Sequence, residues 1–100
     1  MTHHETSKAL AIAIGWSPFH IHDYIDKSGE HNINCLVDGE WKPFDYRDPL
    51  VIWPIAKRFN CFPWRDSMGY WWANVGDKAE EHSHSAELAV ALAVIGSMKL

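Results

Sequence analysis

Two His-x-His pairs, His20/His22 and His82/His84, come closest in type and spacing to residues that could do chemistry. Residues two apart on a strand share a face, so each pair could turn two imidazoles toward one ion. All four, or three of them with Asp23, Glu80 or Glu81, would make a zinc-type divalent site. The spacing matches no zinc motif, and no carboxylate holds the helical offset that metallohydrolases use. The pairs also fall in loop and helix-cap sequence, where histidines are normally solvated. The expectation is no metal and no cofactor. His20, His22, His82 and His84 are the ligands of the alternative reading, a small metal-binding module or metal-dependent enzyme. His3-His4, near the start, reads as irrelevant to function.

Covalent catalysis has less support. Cys35 and Cys61 lie in strand-like sequence, away from any helix N-terminus that would lower a thiol pKa, and neither stands in a catalytic signature. They read as two small buried hydrophobes, and the sequence leaves open whether they meet. Glu80-Glu81 sits beside a turn and reads as a solvated rim. The chain contains no Gly-x-Gly-x-x-Gly, phosphate-binding loop or Gly-x-Ser-x-Gly. It reads as a non-enzyme.

The aromatics carry the stronger signal. Six tryptophans, Trp16, Trp41, Trp53, Trp64, Trp71 and Trp72, occur in 100 residues. An indole is rarely buried completely and its N–H needs a partner, and tryptophan and tyrosine are frequent anchors of protein interfaces. Trp41, Trp53, Trp64, Trp71 and Tyr70 are the expected partner contacts, with Asp45, Asp48, Asp66 and Asp77 supplying charge. Trp16, after a helix stop, and Trp72, packed in a sheet, are assigned structural roles.

The elements that must position these residues can be read in order. Residues 1–7 are polar and read as a flexible terminus. A short helix is expected over residues 6–14, stopped by Gly15. Residues 17–31 read as loop. Residues 33–37 and 40–44 flank Asp38-Gly39, the signature of a hairpin with a type I′ turn. Asp48-Pro49 reads as the N-cap and first position of a helix that runs to Phe59 or Asn60, with a bend at Pro54. A second hairpin joins residues 61–65 to 70–75 across Asp66-Ser67-Met68-Gly69. It puts Tyr70, Trp72 and Asn74 on one face and Trp71, Ala73 and Val75 on the other. Residues 79–82 read as one more short strand. Ser83 or Ser85 caps a last helix that ends near Met98. Between Leu88 and Ile95 this helix is apolar all round, which requires burial on several sides or leaves a face for a homodimer. No internal repeat is evident. The sum is a single α+β domain over residues 1–100: an antiparallel sheet of about four strands, built from two hairpins, with about three helices in an α/β/α sandwich-like arrangement.

Composition limits the partners. Nine basic and thirteen acidic residues give a formal charge of −4, and the closest approach to a basic cluster is Lys57-Arg58. Binding a nucleic-acid backbone needs several cationic contacts, so direct nucleic-acid binding is disfavoured and a protein partner with a basic groove is favoured. The longest uncharged apolar run, residues 88–98, is eleven residues long, against the ~20 that a bilayer requires. No membrane partner is expected. The start lacks the basic segment of a signal peptide, which points to the cytoplasm.

Ala-Ile-Ala-Ile-Gly-Trp at residues 11–16, Phe44-Asp45-Tyr46-Arg47-Asp48-Pro49-Leu50 leading into a helix, the aromatic hairpin, and Ser85-Ala86-Glu87-Leu88-Ala89-Val90-Ala91-Leu92-Ala93 together resemble the phage ABA-sandwich domain family. The resemblance spans about Lys8 to Met98. Members are small phage and prophage proteins, two helical layers around a sheet, with no established function. The resemblance therefore implies a fold and a phage origin, and it transfers no catalytic or binding residue. Pro54 inside the middle helix and the load of Trp and His depart from the family's pattern. With the acidic charge and the aromatic surplus, it leads to the expectation of a phage-encoded interaction protein in the cytoplasm of an infected bacterium. Such a protein would bind and modulate or inhibit a host protein or complex, for example as an anti-defence inhibitor of a CRISPR effector. A structural or accessory phage component is a further alternative.

Overall fold

A computed structural model describes residues 1–77 and 79–98. The side chains of residues 79–81 are left out, so the reading of Glu80 and Glu81 as a rim lies outside the described residues. Helix α1 (His3–Ala13) starts earlier than its apolar pattern suggests, because Thr2 and Glu5 form a capping box. The Thr2 hydroxyl accepts the Glu5 N–H and the Glu5 carboxylate accepts the Thr2 N–H, each at 3.1 Å. Amide donors that a helix start leaves open are thereby satisfied. Thr6 and Ser7 are buried, and the Ser7 hydroxyl accepts the Tyr46 N–H at 3.1 Å. This corrects the reading of residues 1–7 as flexible: the Thr-x-x-Glu cap outweighs the polar composition. Gly15, at φ 110°, ends the helix as expected, and the Trp16 N–H closes it on the Ala11 carbonyl at 3.0 Å.

The stretch read as loop contains a 3₁₀ turn at Pro18–His20 and strand β1 (Ile21–Ile25). Only Ile21 of that strand is buried, so no alternating apolar pattern marks it. It pairs antiparallel with β2 (His31–Val37), which pairs with β3 (Glu40–Pro43). Asp38 and Gly39 both take positive φ, 51° and 80°, as the type I′ turn requires. Helix α2 (Pro49–Phe59) is capped by the Asp48 carboxylate, which accepts the Leu50 N–H at 3.0 Å, and Asn60 ends it in the left-handed region. The helix runs unbroken through Pro54. A second sheet follows, β4 (Trp64–Arg65), β5 (Trp71–Val75) and β6 (Ala79–Ser83), then α3 (Ala86–Ser97), capped by the Ser85 hydroxyl.

The α+β class is as the sequence predicts, but among the described residues the strands number six, in two three-stranded antiparallel sheets of order β1-β2-β3 and β4-β5-β6. A repeat is also present. The β1–β2 turn begins at Asp26 and the β4–β5 turn at Asp66, forty residues later. Each Asp carboxylate accepts the N–H groups two and four residues on (Ser28 and Glu30; Met68 and Tyr70) and a side-chain N–H six residues on (Asn32; Trp72). Gly29 and Gly69 occupy equivalent positive-φ positions, at 87° and 88°. The shared Asp-x-x-Gly is too short to mark a repeat in sequence; its hydrogen bonds make the repeat visible.

Sheet β1-β2-β3 rests on α1, α1 on α3, and α3 on β5 and β6, with α2 along α3. Helices α1 and α3 therefore lie between the sheets, not outside one. Leu10, Ile52, Ala56, Ala73, Val90 and Val94 centre the main core, and Ala11, Ile21, Ile33 and Cys35 form a smaller one under the first sheet. Six residues of α3, Ala89, Val90, Ala91, Ala93, Val94 and Ile95, are buried within the chain, and Leu88 and Leu92 are half-buried. Each sheet keeps its second face for solvent, and that decides where the aromatic residues can act.

Candidate functional site

Register fixes which side chains reach the open face of the second sheet. Trp64 stands opposite Trp72, and Trp72 opposite His82. Their rings stack in a row across three strands, Trp64 on Trp72 (centroids 5.9 Å apart, 13° between planes) and Trp72 on His82 (4.5 Å, 26°). Tyr70 and His84 continue the face beyond the strand ends. The Tyr70 ring meets His82 and His84 edge-on, at 4.4 and 4.9 Å. Five rings thus form one outward cluster. Trp64, on the edge strand, is its open end and is 47 % exposed.

Asp66 anchors this cluster. Its carboxylate accepts the Trp72 indole N–H at 2.8 Å and the amides of Met68 and Tyr70. The indole bond first, and then the Tyr70 amide, hold Asp66 below the ordinary carboxylate range. Trp72, assigned a structural role from sequence, belongs to the exposed cluster. Trp71, expected at the partner surface, turns to the helix side, where it packs against the main core with the Arg65 guanidinium 5.8 Å from its ring centre. Strand alternation separates the two tryptophans; which face the helices cover is set by the tertiary arrangement.

The remaining expected contacts are dispersed. Trp41 is exposed on the open face of the first sheet, 5.8 Å from the His22 ring. Trp53 is exposed on α2, and Trp16 packs against the smaller core. Of the four acids, Asp48 caps α2, Asp66 holds its turn, Asp45 is paired with Arg47, and Asp77 is exposed. Cys35 and Cys61 are free, buried, and in separate cores. Burial pushes both thiols up to about 11, so neither presents a thiolate nucleophile near neutral pH.

His22 lies on the first sheet and His82 on the second, with His20 and His84 just outside the strands, and the structure does not join the two pairs. Among the described residues, the metal-type donors that converge are His3, Glu30 and Asp45, whose ligand atoms all lie within 4.8 Å of one another. His3 stands in the first turn of α1, Glu30 in the β1–β2 turn and Asp45 between β3 and α2. The His3 Nε2 atom is 2.9 Å from Glu30 Oε1, yet it is buried and makes no hydrogen bond among the described residues. The contact is close without the alignment that a bond needs. Arg47 lies across the two carboxylates, with Nη2 2.6 Å from Glu30 Oε1 and 2.7 Å from Asp45 Oδ2. Burial raises the Asp45 pKa, but the Arg47 hydrogen bonds outweigh it and leave the carboxyl below its usual range. A cleft of about 580 Å³ opens beside these groups, lined by His3, His4, Glu30 and His31 among others. His4 also bonds Asp23, which pairs with Lys8 at 3.0 Å. Reading His3-His4 as irrelevant missed this cluster, because its partners sit 27 and 42 positions away in sequence. Comparison of the chain with protein-family models, with curated proteins and with solved structures finds no match.

Proposed function

We propose that this protein is a non-enzymatic interaction module that docks a protein partner on the open face of its second sheet. One observation carries the reading: Trp64, Tyr70, Trp72, His82 and His84 form a contiguous outward ring cluster that no other element of the chain covers among the described residues. Stacked tryptophans fixed by an anchoring carboxylate present large apolar area at low conformational cost, as interface anchors do. A single-stranded nucleic acid would need a cationic groove beside the rings. Among the described residues the charge bonded to the rings is the Asp66 carboxylate, while Arg65 sits over Trp71 on the opposite face, in a chain of net charge −4. Among the described residues no helix is long and apolar enough to cross a membrane. The resemblance to phage ABA-sandwich proteins favours a bacterial host protein or complex as the partner and modulation or inhibition as the outcome, with a defence effector as one target.

The test is capture from host lysate with immobilised wild-type protein beside Trp64→Ala and Trp53→Ala variants. Removing an interface anchor typically costs about 2 kcal/mol, roughly 30-fold in affinity. A specific protein retained by wild type and Trp53→Ala but lost by Trp64→Ala supports the reading. Equal retention by Trp64→Ala, or no specific protein in any host lysate, counts against it.

A further inference from the structure

We infer that His3, Glu30 and Asp45 form a binding site for a divalent transition-metal ion, zinc being the type that suits one imidazole and two carboxylates. Three observations meet there. The donor atoms are mutually within 4.8 Å. Donors that share an ion at about 2.0–2.2 Å lie roughly 3–4 Å apart, so small side-chain rotations bring the set to coordination distance. The His3 Nε2 atom is buried, 2.9 Å from Glu30 Oε1 and without a hydrogen-bond partner among the described residues; an ion held between the two would satisfy both atoms. The adjoining cleft lets an ion and its remaining water ligands enter.

Arg47 occupies the place an ion would take. Its guanidinium neutralises the two carboxylates and cannot be deprotonated, so it must swing out before a dication binds. It is 47 % exposed at the side chain, and solvent is open to it. Metal and arginine are therefore competitors for the same two carboxylates. An ion bound there would clamp the first turn of α1, the β1–β2 turn and the β3–α2 connection, three segments distant in sequence. The site is separate from the aromatic face and from both His-x-His pairs.

The experiment is titration of the full, tag-free chain with Zn²⁺ by calorimetry at neutral pH, with melting temperatures read in zinc and in a chelator. One ion per chain is expected, with a raised melting temperature. His3→Gln and Asp45→Asn should each weaken binding by about 100-fold or more, since even outer-shell partners of a metal are worth 10–100-fold. Arg47→Gln should tighten it, and paired alanine substitutions at His20/His22 or His82/His84 should leave it unchanged. If His3→Gln does not fold, Glu30→Gln, on a more exposed side chain, replaces it. Absence of one-to-one binding to the wild type, wild-type affinity in Asp45→Asn, weaker binding in Arg47→Gln, or loss of binding in either paired-histidine variant would overturn the site.

Discussion

Asp66 accepts hydrogen bonds from two amides and from the Trp72 indole, so one carboxylate sets both a turn and the tilt of the aromatic row. Its folded-state pKa is lowered by those bonds, the indole contributing most. A lowered acid contributes stability that is complete above its unfolded value, 3.8, and is lost as pH falls through the folded value. Acidification below about pH 4 should loosen the β4–β5 hairpin, read by tryptophan fluorescence. Asp66→Asn should melt lower than wild type at pH 7 and lose part of that acid dependence. An unchanged acid profile would show that the carboxylate does not hold the row. At this scale the sequence was informative about type and weak about direction. Alternation put Trp71 and Trp72 on opposite faces, but local sequence carries no record of which face α3 covers. Asp66 was legible as an acid and its three partners were not, because two come from turn geometry and one from a side chain six residues away.

The elements were most legible where a short segment supplies its own stop signals. Asp48-Pro49, Gly15 and Asp38-Gly39 act locally and mark the boundaries found, and of the two candidate caps of the last helix, Ser83 and Ser85, the structure uses Ser85. Strand β1 escaped because it buries Ile21 and otherwise carries His22, Asp23 and Tyr24, which no periodic rule reads as strand. The first turn of α1 escaped for the opposite reason: its cap was present in sequence, and polar composition obscured it. Thr2→Ala should therefore destabilise the protein by about 1 kcal/mol, measurable as a lower urea midpoint. If Thr2 were part of a flexible terminus the midpoint would not move. The Asp26 and Asp66 turns extend the point to pairs of elements. The same hydrogen-bond pattern organises both hairpins, yet only Asp26/Asp66, Gly29/Gly69 and Asn34/Asn74 recur at matching places.

For the whole molecule, the central fact is that α1 and α3 lie between two sheets. Leu10, fully buried in the main core, sits on the helix that joins the first sheet to α3. Leu10→Ala should cost about 2–5 kcal/mol, a large fraction of the 5–15 kcal/mol typical of a domain. Because both sheets lean on the same helix pair, they should lose protection together: amide exchange in β2 and β5 is expected to rise in parallel. Faster exchange in β2 alone would show that the first sheet is a separable unit.

Taken by itself, the sequence determined the α+β class, the two hairpins, the cap of α2, the buried character of both cysteines and the presence of an aromatic surplus. Each of these depends on neighbours within about one turn of chain, where residue type and spacing act directly. The tertiary structure alone decided that the strands divide into two sheets, that Trp72 faces out and Trp71 in, and that His3 meets Glu30 and Asp45. Those outcomes depend on which surfaces the helices cover and on contacts across as many as 42 positions. Long-range packing fixes them, and no local pattern encodes it.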